Sequence, residues 1–193
     1  MVRKPISKTF VVGTTLALVW SLTSGPVLAD LAKELKISGQ TLKLNGAGKR
    51  TKTFIQIYES GLYLKDATAN ASTVLDSDAW MAIRVQITSG FVKRDSLVSS
   101  LEEGLKQSTG GRTETIAKET DLFLKCLKDE VKKNDVYDFV YVPSRGLYIL
   151  KNAKVQGSIP GIEFKKALFG IWLSDAPVDK KLKQAMLTGP MIR

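Results

Sequence analysis

Histidine is absent from this 193-residue chain, and cysteine occurs once, as Cys126. Without imidazole there is no Ser-His-Asp or Cys-His nucleophile, no histidine metal site and no imidazole proton shuttle. One thiol makes no internal disulfide and no multi-cysteine zinc or iron–sulfur site, so no metal or cofactor is expected. Internal repeats and low-complexity tracts are missing as well, and beyond residue 30 no run is long and apolar enough to cross a membrane. Chemistry, if there is any, falls to Arg, Lys, Tyr, Ser, Thr, Asp or Glu.

With 44% apolar and 25% charged residues, the composition is that of an ordinary folded domain. Its first residues read as an address. Arg3, Lys4 and Lys8 precede the uncharged, mostly apolar stretch TFVVGTTLALVWSL, and Val27 and Ala29 occupy the small-residue positions before Asp30. That order predicts a cleavable secretory signal peptide over 1–29, a single domain over 30–193 and a periplasmic location without stable membrane insertion. The full chain carries +10, and it stays basic once the leader's three cations are removed. These cations are dispersed and not interleaved with aromatics, so no nucleic-acid partner is expected.

Hydrophobic periodicity sets the remaining expectations. Leu42 and Leu44 predict a short strand entering a turn at Asn45-Gly46-Ala47-Gly48, and TFIQIYESGLYLK a long strand bent near Ser60-Gly61. Strict alternation over 81–88 predicts a half-buried strand. Leu97, Val98, Leu101 and Leu105 mark one helix; Ile116, Thr120, Phe123, Leu124, Leu127 and Val131 mark a second. DVYDFVYVP and GLYILKN flank the hairpin turn Pro143–Gly146, and 154–159 adds a further strand. Two helices end the chain, one with Phe164, Ala167, Leu168 and Ile171, the other with Val178, Leu182, Ala185 and Met186 and a stop at Gly189-Pro190. Strands, helices, strands, helices predict an α+β fold, an antiparallel sheet covered by helices on one side.

Arg50 is the leading candidate for chemistry, because a guanidinium grips a carboxylate or enolate with two parallel hydrogen bonds. Tyr58 and Tyr63 follow on the next strand, where a phenol joined to an apolar ring suits a ligand pocket. Five positions apart, they fall on opposite faces unless the Ser60-Gly61 bend changes the phase. Cys126 reads as a small buried hydrophobe and Trp172 as packing.

The blocks LNGAGKRTKTFIQIYESGLYLK and FKKALFGIWLSDAPVDKKLKQAML resemble the chalcone isomerase-like family, in its exported bacterial branch. The resemblance implies an open-faced β-sandwich, a large antiparallel sheet with a helical layer and a ligand cleft between them. In the plant isomerases of that family an Arg after a Gly-Ala-Gly turn polarises the substrate while a phenolate closes onto an enone, and Arg50 matches it. Their water-organising Thr is matched by Tyr58, a Tyr and an Asn on the following helix by Lys93 and Ser100, and a C-terminal Thr by Ile171. The fatty-acid-binding relatives instead pair the Arg with a Tyr to hold a carboxylate.

What the resemblance implies is non-catalytic binding of a small amphipathic anion such as a fatty acid, with Arg50 as clamp, Tyr58 as its partner and Tyr63 as a further ligand-binding candidate. The alternative is an isomerase, an intramolecular lyase acting on a phenolic enone, for which Arg50 is the one catalytic candidate. A third reading is a structural or interaction protein with a vestigial cleft, marked by Arg50 tied up in an internal ion pair and by no ligand co-purifying.

Overall fold

The structure, a computed structural model, describes residues 31–188. The leader expected over 1–29 and the stop at Gly189-Pro190 lie outside the described residues. Seven strands form one antiparallel sheet in sequential order: β1 (Glu34–Ile37), β2 (Gln40–Lys52), β3 (Ile55–Leu64), β4 (Met81–Ile87), β5 (Val136–Val142), β6 (Gly146–Lys151) and β7 (Lys154–Ile159). Five helices accompany it: α1 (Ala71–Asp76), α2 (Arg94–Ser108), α3 (Ala117–Lys125), α4 (Ile162–Leu173) and α5 (Lys180–Leu187). The α+β reading and the helix-covered antiparallel sheet are both present.

Alternation in β4 explains the layering. Met81, Ile83, Val85 and Ile87 face the helices and join a core with Leu101 and Leu105 of α2, Phe123 of α3, and Phe164, Leu168 and Trp172 of α4. Ala82 faces the opposite side, where Leu35, Leu42, Tyr63 and Val140 form a second, smaller cluster. On that side Arg84 and Asp138, directly paired across β4 and β5, make a two-pronged ion pair at 2.6 and 2.9 Å. Helix α4 is buried along most of its length, from Phe164 to Leu173 apart from Lys166. It is the keel of the helical layer.

Several local expectations give way. Asn45–Gly48 is no turn: β2 runs straight through it, with a bulge between Leu44 and Gly46. The reversal comes later, at Thr53-Phe54, where both residues have positive φ, 48° and 72°. Two-residue hairpins of this kind favour Asn-Gly, and a left-handed backbone costs a non-glycine residue roughly 1–2 kcal/mol. The β2–β3 ribbon has one extra residue in β2, at Asn45, and one in β3, at Ile57, but 58–64 pair with β4 without a break, so Ser60-Gly61 does not change the phase of β3. The second predicted helix stops at Lys125; Leu127 and Val131 are buried from the loop that follows.

Helix α1 and strand β1 were not legible in the hydrophobic pattern. Asn70 caps α1, its Oδ1 accepting from the Ser72 and Thr73 amides. At the other end lies Lys165, fully buried, whose Nζ donates to the carbonyls of Val74, Leu75 and Ser77 at 3.1, 2.6 and 2.9 Å. The ammonium thus serves as a C-terminal cap reaching from α4 into α1, satisfying carbonyls that a helix end leaves without partners.

Candidate functional site

Glycines in β2 are required by what lies over them. A Cβ on Gly46 would meet the Ala185 carbonyl oxygen at 2.2 Å, and one on Gly48 would meet the Ala185 Cβ at 2.9 Å. Helix α5 therefore rests directly on the β2 backbone, and Asn45 holds it there, its Nδ2 donating to the Met186 carbonyl at 2.8 Å. This contact brings Val178 and Asp179, just ahead of α5, against Arg50. The Arg50 Nη1 donates to the Val178 carbonyl at 2.6 Å and stands 3.7 Å from Asp179 Oδ2. The other carboxylate oxygen of Asp179 caps α5, accepting from the Lys181 and Leu182 amides.

Arg50 and Tyr58 are direct cross-strand partners, so their side chains share a face. Both line a cavity of about 190 Å³ between the sheet and the helices. Ile57, Val85, Ile87 and Phe139 form its floor, Leu97 and Leu101 of α2 and Ile171 and Trp172 of α4 its roof, and Phe91 its edge. The lining is mostly apolar; Arg50 and Lys52 are its charged residues, and Ser96 and Ser100 of α2 add hydroxyls. Trp172 Nε1 donates to the Tyr58 hydroxyl at 3.0 Å, a buried bond. Burial pushes the Tyr58 phenol up to about 12, against the opposing pull of the Trp172 bond and the Arg50 charge.

These contacts leave donors to spare. Tyr58 accepts from Trp172 and keeps its own proton, for which no acceptor occurs among the described residues. Of the Arg50 guanidinium only Nη1 is engaged among the described residues; Nε and Nη2 make no hydrogen bond there. A buried hydroxyl proton beside two uncommitted guanidinium donors, in a mostly apolar chamber, is an arrangement for an anionic head group with an apolar body. The internal ion pair that would mark a vestigial cleft exists, but it is long and occupies one nitrogen.

Other residues singled out in the sequence are placed as follows. Tyr63 is not brought to the cavity: it sits on the opposite face of β3, fully buried, with its hydroxyl donating to the Ala32 carbonyl at 2.9 Å. Five-residue parity, undisturbed by any bend, decided that outcome. Ser100 and Ile171 line the cavity and Lys93 does not. Tyr137 lines it as well, whereas Tyr141 donates to Asp78 and Tyr148 packs on the far face. Cys126 lies against Gly157, burial pushing its thiol up and away from reactivity. Trp172 is packing, as its helical stripe indicated, and also the partner that orients Tyr58. Nothing in the sequence pattern signalled that bond, nor the grip of Val178 and Asp179 on Arg50.

The profile described as chalcone isomerase-like matches residues 28–188. A comparison with curated proteins finds no match. Among solved structures, the crystal structure of a fatty-acid binding protein from Arabidopsis thaliana is similar, with a TM-score of 0.62 and 21% identity, covering 82% of this chain and 91% of that one. At this identity the likeness is one of fold.

Proposed function

Since the chain belongs to the chalcone isomerase-like family, we propose that it is a periplasmic, non-catalytic binding protein for a small amphipathic anion such as a fatty acid. The observation that carries this reading is the pairing of Arg50 with Tyr58 in the lining of a mostly apolar cavity, both with donors unspent. A carboxylate placed there would accept from Nε or Nη2 of Arg50 and from the Tyr58 hydroxyl, while its tail lies along Val85, Ile87, Leu97 and Phe139. The similar Arabidopsis protein is itself described as a fatty-acid binding protein, which supports the ligand class. Tyr58 favours binding over closure of a phenolic enone: where the resemblance to the plant isomerases implies a water-organising Thr, this chain has a tyrosine whose hydroxyl Trp172 fixes.

The test is calorimetric titration of delipidated protein with a series of fatty acids and phenolic acids. Arg50→Ala removes the charge-assisted bonds and weakens binding by about 1.5–3 kcal/mol, while Tyr58→Phe costs roughly 0.5–1.5 kcal/mol because the ring stays. A folded Arg50→Ala protein that binds the best ligand as tightly as the parent refutes the clamp. Enantioselective closure of a chalcone well above the uncatalysed rate would establish the lyase instead. The periplasmic assignment is checked by the N-terminus of the protein recovered from the periplasmic fraction, expected to be Asp30.

A further inference from the structure

Four large apolar side chains are exposed among the described residues: Phe54 at 99%, Phe91 at 81%, Ile55 at 45% and Val155 at 63%. Three of them lie on two segments that are joined to each other. Phe54 and Ile55 form the β2–β3 hairpin tip, and Phe91 lies in the loop between β4 and α2. Thr88, at the start of that loop, donates from its amide to the Ile57 carbonyl at 3.0 Å and from its hydroxyl to the Gln56 carbonyl at 3.1 Å. Lys52, across from Ile55 in the ribbon, lines the cavity, and so does Phe91. These three exposed apolar residues therefore gather at one end of the cavity, while Val155 stands apart on β7.

Folding does not account for them. Phe54 leaves its ring in water on a backbone of φ 72°, a conformation unfavourable for an aromatic residue. Their charge surroundings are one-sided. Residues 49–57 carry Lys49, Arg50 and Lys52, and residues 88–94 carry Lys93 and Arg94, with no carboxylate in either segment. Arg50 is engaged by Asp179, Arg94 by Asp95, and Lys49 lies opposite Glu59, which leaves Lys52 and Lys93 with no ion-pair partner among the described residues. Protruding aromatics flanked by unpaired lysines match the interfacial zone of a bilayer, where rings settle at head-group depth and lysines meet anionic lipid.

We infer that this end of the molecule docks reversibly on an anionic lipid surface, with Phe54, Ile55 and Phe91 entering the interface and Lys52 and Lys93 against the head groups. The cavity mouth then faces the bilayer. Docking goes beyond ligand binding and does not require it: a protein with an empty cavity docks equally well.

Flotation with vesicles tests this, using protein purified from the soluble extract of the producing cells. Vesicles of phosphatidylcholine with 30% phosphatidylglycerol contain no free fatty acid, so the result is independent of the cavity's ligand. The parent is expected to float with these vesicles and to be released by about 0.5 M salt. Phe54→Ser with Phe91→Ser weakens the association at least about tenfold, and Lys52→Glu with Lys93→Glu abolishes the preference over pure phosphatidylcholine. Val155→Ser, in β7, leaves it unchanged. Thermal unfolding confirms that each variant is folded. The proposal is overturned if the parent does not float, or if the folded Phe54→Ser, Phe91→Ser protein floats as the parent does. It is also overturned if sedimentation shows a dimer of the parent that this double variant loses, for the patch is then a contact between two copies of the chain.

Discussion

Gly46→Ala adds a single methyl group and is expected to disturb both the stability and the site. The new Cβ would lie 2.2 Å from the Ala185 carbonyl oxygen and 2.8 Å from that of Met186, both main-chain atoms of α5. Neither can rotate away, so the helix must lift by about 1 Å to restore ordinary contact distance. Overpacking of this kind costs about 1–3 kcal/mol. Lifting α5 also pulls Met186 off Asn45, whose buried amide bonds at 2.8 Å; a buried donor left without its acceptor costs a further 1–3 kcal/mol or so. The sum, about 2–6 kcal/mol, corresponds to a fall in Tm of roughly 5–20 °C for a domain of this size. The loss reaches the site because Val178 travels with α5: its carbonyl no longer holds Arg50 Nη1, so the guanidinium loses its orientation and anion binding weakens even below the new Tm. Gly90→Ala is the control, since a Cβ there meets nothing within 4 Å. Scanning calorimetry on both variants decides: a Gly46→Ala protein melting within about 2 °C of the parent would refute the close approach of α5 as the reason for this glycine.

Asp179→Asn keeps an N-cap of equal quality while removing the carboxylate that competes for Arg50, so fatty-acid affinity should rise about two- to fivefold; weaker binding in titration would show that Asp179 orients the guanidinium more than it neutralises it. Lys165→Met leaves the α1 carbonyls of Val74, Leu75 and Ser77 without their buried donor, for an expected loss of about 3 kcal/mol in urea unfolding, and an unchanged midpoint would deny the capping role. Burial pushes the phenols of Tyr58, Tyr63 and Tyr141 up to about 12 from an ordinary value of 10. Because the folded state holds these protons more tightly than the unfolded chain, the stability they contribute is full below pH 10 and is lost as pH rises through 12. Unfolding midpoints should fall over that window, and a Tyr63→Phe variant should show a shallower fall.

The parts of the fold legible in the sequence were those whose cause is local. Alternation in 81–87 needs only a sheet with two faces, and the helical stripe in 94–108 needs only one apolar neighbour. Pro143–Gly146 reversed the chain where its composition said it would. Glycines in β2 misled because their cause is remote: Gly46 and Gly48 make room for residues 182–186, a partner that no local window contains. A tight turn and a close approach use the same residue for different reasons. Thr53-Phe54 failed in the opposite sense, reversing the chain with residues that ordinarily avoid such a backbone. Of the candidate site, Arg50 and Tyr58 were singled out from the sequence, and they are cross-strand partners. Trp172 showed only its helical stripe, because the bond it donates to Tyr58 depends on how α4 crosses β3.

The seal of α5 over β2 also orders events in time. Strands β1 to β7 pair with their sequence neighbours; short turns join β1 to β2 to β3 and β5 to β6 to β7, the kind of closure that is fast, while 65–80 and 88–135 carry α1, α2 and α3 between the inner strands. The Asn45–Met186 bond, by contrast, spans 141 residues, and the Arg50–Val178 bond spans 128. Neither can form until the last helix has left the ribosome, so a growing chain can hold most of its sheet while its binding chamber stays open. The cavity between sheet and helices therefore comes into being only with the final turns of helix.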